Sequence, residues 1–345
     1  MNSAVTIAED IGISEAENAL SVISTHSGDP IRSSDAWRTW NLCYFLSSSL
    51  GSCMRMPSKI LWNSELEIKL SSLEYGIDAL STDGLLCQFV RSEGLAQQIA
   101  IEAGYHSSDP VVLITDHQKI RRLQNLIIDR KAQTFSSQSY PSLKLYDHFA
   151  IILLNECILH TSTNKRSFAA PYIAERLSIT DFPAPIVTPD HIAALYKLRD
   201  GCHSTLNTFL NFGIDVITSS PLIIFTAKAF YAIWLLIKLY VAVTATGNTY
   251  GVFMDAQSLE LDNYLEKLAE LGDLLCATDA EDIAGRMLKT SRRLKEWVVN
   301  CSALQAEESF SSFSSDELTS VGADPFAVGD LNSIDWTAFD SNFLS

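Results

Sequence analysis

Apolar residues recur every three or four positions through most of the chain, and no stretch sustains a period of two. The pattern therefore predicts helices throughout and no sheet. From residue 35 onward, Trp37, Trp40, Tyr44, Leu46 and Leu50 repeat at helical spacing in WRTWNLCYFLSSSLG, with Ser34 or Asp35 as a cap and Gly51 as the stop. Further helices are expected over 64–73, 80–104, 110–132 and 143–160. RLSITDFPAPIVTPD is an extended connector, and Thr188 followed by Pro189 begins a helix to about residue 212, hydroxyl cap first and proline at the first helical position. Two amphipathic helices, 258–276 and 279–299, follow the GNTYG break. No internal repeat with a period of about 20 to 50 residues is present, so a solenoid is not indicated.

The segment LIIFTAKAFYAIWLLIKLYVAV, residues 222–243, is long and apolar enough to raise the question of a membrane span. Lys228 and Lys238 argue against it, since each costs roughly 2.5–3.5 kcal/mol near a bilayer centre. With Tyr231 and Leu235 they form one helical stripe. The expectation is a core helix with that stripe at its edge, and no membrane partner.

These elements assemble into an all-α reading with three parts: a loose, Ser-rich lead-in over 1–34, a large helical domain over 35–301 and a tail over 302–345. A hydrophobic content of 47% is enough for a sizeable core. The net charge of -16 divides evenly, because the tail holds eight acids and no Lys or Arg, leaving 33 acids against 25 bases in the rest. A uniformly basic nucleic-acid footprint is absent. The seven cysteines are scattered and form no C-x-x-C pair, which speaks against disulfide scaffolds and zinc clusters and for small buried hydrophobes in a reducing compartment. Glu9, Asp10, Glu15 and Glu17 stand where a secretion signal would need positive charge, so the chain is expected inside the cell.

Candidate chemistry is sparse. Glu156 and His160 in NECILH lie one helical turn apart, a spacing that can place a carboxylate and an imidazole on one metal. A third ligand at matching spacing is missing, and His148 lies about 80° around the helix from Glu156. The pair reads as a structural contact, and no catalytic residue, cofactor or metal ligand is assigned. A helical enzyme using His148, Glu156, His160 or His203 in a central pocket is the alternative. Two helices are locally basic, one through Lys119, Arg121, Arg122, Arg130 and Lys131, the other through Arg286, Lys289, Arg292, Arg293 and Lys295. In each the bases fall opposite an apolar stripe, as on any solvated helix face.

The tail is different in kind. Its acids are interspersed with Phe310, Phe313, Phe326, Trp336, Phe339 and Phe343. A Ser-rich acidic segment buries too little apolar surface to fold alone, and acidic-hydrophobic alternation is the composition of activation segments. In IDWTAFDSNFL, Trp336, Phe339 and Phe343 lie at i, i+3 and i+7 with Asp335 and Asp340 off that stripe, which suits a short amphipathic helix laid in a partner's groove. These five residues are the candidate binding site. The same aromatics folded back onto the helical body as a latch, with the chain a helical scaffold, are the other alternative.

The segments AWRTWNLCYFLSSSLGSCMRMP, YPSLKLYDHFAIILLNECILH and PLIIFTAKAFYAIWLLIKLYV, closed by an acidic tail containing IDWTAF, together resemble the regulatory region of fungal zinc-cluster transcription factors. The resemblance runs from Asp35 to the C-terminus. It implies a nuclear transcription regulator, not an enzyme, of the kind that controls secondary-metabolite gene clusters. It further implies a helical body that dimerises or receives control signals, and a tail that contacts coactivators or the transcription machinery. The family's six-cysteine DNA-binding motif is missing, since the first cysteine, Cys43, already lies in the helical body. Direct zinc-cluster DNA binding is therefore not expected. The chain would act through a DNA-bound partner, as a homo- or heterodimer, or be a form whose cluster lies upstream of Met1.

Overall fold

The end of the first helix shows how local sequence and distant contacts jointly set the boundaries. A computed structural model describes residues 6, 33–105, 117–133, 140–161, 164, 168, 174, 177, 182, 186–220, 223–245 and 247–300. In it α1 (Ser33–Met54) passes through Gly51, the expected stop, and ends where Arg55 adopts a left-handed φ of 59°. The Met56 N–H closes back on the Gly51 carbonyl at 3.0 Å, the six-residue closure of a Schellman end, whose left-handed position usually belongs to glycine. Here it belongs to an arginine whose side chain is only 5% exposed. Gly51 still matters, because a Cβ there would meet the Met56 carbonyl oxygen at 3.2 Å.

Asn63 opens α2 (Ser64–Tyr75) by accepting the Leu66 N–H at 2.8 Å on its side-chain oxygen. The next helix, α3 (Asp83–Glu102), starts three residues later than its apolar pattern suggests. Asp83 is held there by the Leu80 N–H at 2.8 Å and by Arg38 of α1, Nε at 2.9 Å and Nη2 at 2.8 Å. The guanidinium holds the Asp83 carboxyl below its ordinary range. After α4 (His117–Gln133), the helix expected over 143–160 is shorter: α5 (Pro141–Asn155) tightens into a 3₁₀ turn, Glu156–Leu159. Thr188 and Pro189 do begin α6 (Pro189–Leu210), with Thr188 Oγ1 accepting the His191 N–H and His191 Nδ1 accepting the Thr188 N–H, both at 3.4 Å.

Then come α7 (Ile214–Thr218), α8 (Ile224–Thr244), 3₁₀ turns at Tyr250–Val252 and Ala256–Leu259, and α9 (Leu261–Thr278). The helix expected over 279–299 is two, α10 (Ile283–Lys289) and α11 at 291–300, broken at Thr290. No strand occurs among the described residues, and the fold is all-α.

The bundle is organised around α8. All of it except Tyr240 and Thr244 is buried, and it touches α1, α5, α6, α9 and α10. Its length and composition would suffice to cross a bilayer, yet 94% of its apolar window lies inside the protein. The stripe of lysines expected at its edge is inside too: Lys228 and Lys238 are both 0% exposed. The reason is that each ammonium finds a partner in the core. Lys228 meets Glu93 of α3, and Lys238 Nζ lies 3.4 Å from the centre of the Phe168 ring.

Candidate functional site

Glu156 and His160, the pair singled out by spacing, do come together: Oε1 and Nε2 are 3.4 Å apart. Neither spacing nor periodicity announced the rest of the cluster. Arg55, at the end of α1, forms an ion pair with Glu156, and the Tyr231 hydroxyl of α8 donates to the other carboxylate oxygen. Arg55 Nη2 also donates to that hydroxyl, and its guanidinium carbon stands 3.6 Å over the Tyr105 ring. Tyr105 in turn donates to the Leu153 carbonyl and packs edge-on against His160, ring centres 5.2 Å apart. His160 meets Phe168 at 4.2 Å, and Phe168 carries Lys238 on its face. The 3₁₀ tightening after Asn155 makes Glu156 the first residue past α5, next to both α1 and α8.

Glu156 is 0% exposed and His160 has 8% of its side chain accessible. A carboxylate so enclosed needs compensation, because charge removed from water loses far more than an isolated contact returns. Arg55 and Tyr231 supply it. The arrangement can clasp α1, the end of α5 and α8 to one another. An interior Glu in an apolar helix demands a cation, but only the fold identifies it as Arg55.

A second sealed pair lies nearby. Lys228 Nζ and Glu93 Oε1 are 2.8 Å apart, with both side chains at 0% exposure. Lys228 also sits over the rings of Tyr146 at 4.4 Å and Phe149 at 4.1 Å.

The other two histidines lie apart from this cluster. His148 is half-buried in α5, and burial first, then the charges of Lys131 and Lys144, lowers its pKa to about 4. His203 Nε2 lies 2.9 Å from the Leu259 carbonyl, its ring against Tyr264. The four residues named for an enzymatic alternative thus occupy three places. None of them lines the cleft of about 230 Å³ between α4 and α6, whose floor includes Asn155 and Cys157. Among the described residues no group of three or more His, Cys, Asp or Glu is placed to hold a metal ion.

The second basic helix is largely neutralised by α9: Arg292 and Lys289 pair with Asp273, and Lys295 with Glu266 at 2.7 Å. In α4, Lys119 and Arg122 pair with Glu102, and Arg130 turns inward to the Gln88 carbonyl at 2.6 Å. Cys53, Cys87 and Cys202 are buried as expected, while Cys43, Cys157 and Cys276 are partly accessible. Burial pushes the thiols of Cys53 and Cys87 up to about 11 and about 12. The tail residues Trp336, Phe339, Phe343, Asp335 and Asp340 lie outside the described residues, as does nearly all of the lead-in.

Compared with family models, with curated proteins and with solved structures, the chain has no match in any of the three.

Proposed function

We propose that this chain is a nuclear transcription regulator, with the helical body as its control and assembly domain and the acidic aromatic tail as the contact to coactivators. One observation supports the reading most. The three segments that carry the resemblance to the regulatory region of fungal zinc-cluster transcription factors form α1, α5 with its 3₁₀ turn, and α8, and each contributes one residue to a single buried node: Arg55, Glu156 and Tyr231. Segments far apart in sequence that supply complementary parts of one ionic contact specify a common body. That body is what the resemblance would require.

In this reading the interior charges hold the body together, and function resides in its surface and in the tail. Trp336, Phe339 and Phe343 enter a groove on the coactivator, with Asp335 and Asp340 facing its basic rim. Ordering such a segment costs on the order of 2–5 kcal/mol, so the contact is weak and switchable. DNA is reached through a partner carrying its own reader or through a zinc cluster upstream of Met1, and the targets are genes of a secondary-metabolite cluster. The test is to tether the full chain, and separately residues 302–345, to a heterologous DNA-binding domain beside a reporter. Activation by the tail supports the reading, and silence from both constructs contradicts it.

A further inference from the structure

We propose that the cleft between α4 and α6 binds a small organic carboxylate that carries its own hydrogen-bond donor. The claim is independent of the regulatory reading. The cleft encloses about 230 Å³, below the range of drug-sized sites and suited to a metabolite. Arg121 and Gln124 face it from α4, Lys197 faces it from α6, and Leu154, Asn155 and Cys157 supply its floor.

The chain is acidic, with a net charge of -16, and four other basic side chains of α4 and α6 are engaged. Lys119 and Arg122 share Glu102, Arg130 is committed to Gln88 and Ser92, and Arg199 pairs with Asp200. Arg121 and Lys197 form no ion pair or hydrogen bond with any described residue, and both line the same cleft. Two positive groups without partners on opposite walls suit a carboxylate, for which the guanidinium offers a planar fork and the ammonium a point charge.

Asn155 is 6% exposed, and its amide nitrogen is spent on the Ile151 carbonyl at 2.7 Å. Its Oδ1 takes no hydrogen bond from any described residue. With Asn155 lining the cleft and this oxygen accessible, a ligand's hydroxyl or amino group can donate to it. Leu154 gives the ligand's carbon skeleton an apolar surface. Cys157 is a neutral part of the wall, its thiol kept protonated by burial. The ligand class follows from these donors and acceptors: 2-hydroxy or 2-amino carboxylates with a modest apolar side chain.

The test uses the full chain with 2-hydroxyisocaproate and 3-phenyllactate as probes, their primary amides as neutral controls, and 3-phenylpropionate as the analogue without the hydroxyl. Binding is measured by ligand-observed NMR titration. Both hydroxy acids are expected to bind, the amides and Arg121→Gln or Lys197→Gln each weakening binding about tenfold, the loss typical of one charge-assisted contact. Loss of the hydroxyl weakens it too, and the difference vanishes in Asn155→Leu. Both lysine and arginine substitutions lie on the surface, and unchanged thermal unfolding confirms that their effect is local. Failure of both hydroxy acids to bind, equal binding of the amides, or binding that survives Arg121→Gln with Lys197→Gln combined would overturn the proposal.

Discussion

Lys228 of α8 and Glu93 of α3 form an ion pair, Nζ to Oε1 at 2.8 Å, in which neither side chain exposes any surface. The contact ties the central helix to a helix 135 positions away in sequence. Glu93 Oε2 is buried without a hydrogen bond, so the pair is not fully compensated. Removing one partner leaves an unpaired charge in the core, which typically costs about 3–5 kcal/mol, whereas replacing both by apolar groups is often neutral. Lys228→Met alone should destabilise by that order, and Lys228→Met with Glu93→Leu should recover most of it. Urea unfolding of the two singles and the double checks this, and additive losses would contradict it.

Arg55 presents two opposed effects at one position. Its left-handed backbone would suit glycine better, by about 1 kcal/mol. Its guanidinium, however, is the counter-charge of the enclosed Glu156. Arg55→Gly should therefore destabilise by about 2 kcal/mol or more despite the easier backbone, since loss of a buried partner outweighs the conformational gain. A variant more stable than the parent would show the node to be dispensable.

The low pKa of His148, about 4 against an ordinary 6.5, follows from burial and from Lys131 and Lys144. The folded imidazole stays neutral while the unfolded one takes up a proton below pH 6.5. Stability from this group is complete above pH 6.5 and is lost as pH falls from 6.5 to about 4. His148→Gln should flatten the decline between pH 6.5 and 5 by on the order of 2 kcal/mol. Parallel unfolding curves at the two pH values decide it, and identical slopes for parent and variant would reject the account.

The last helices pack through small residues. A Cβ on Gly272 of α9 would lie 2.8 Å from the Gly285 carbonyl oxygen and from the Lys289 amide nitrogen, backbone atoms of α10 that cannot easily retreat. Gly272→Ala should cost roughly 1–3 kcal/mol, the range for overpacking, even though alanine favours a helix. A stabilised variant would mean that α10 moves away freely.

Helix content was legible because each helix buries one face, so the 3.6-residue period of α1, α3 and α9 appears directly in the sequence. The central helix showed the limit of that logic. Periodicity placed Lys228 and Lys238 at an edge because lysine is rarely enclosed, and nothing local could reveal Glu93 or Phe168, which arrive from distant segments. Gly51 differs from its local signal for a related reason. Its sequence says helix end, but a close approach to Met56 and the reach of Arg55 toward Glu156 move the end four residues on. The Glu156 and His160 pair was found by spacing, whereas Arg55 and Tyr231, which complete its environment, required three dimensions.

The full chain tethered to a heterologous DNA-binding domain is compared with Trp336→Ala combined with Phe339→Ala, reading reporter output together with thermal unfolding of the purified proteins. The account predicts that the reporter falls to background while unfolding of the helical body is unchanged. Undiminished activation by the double variant would contradict it.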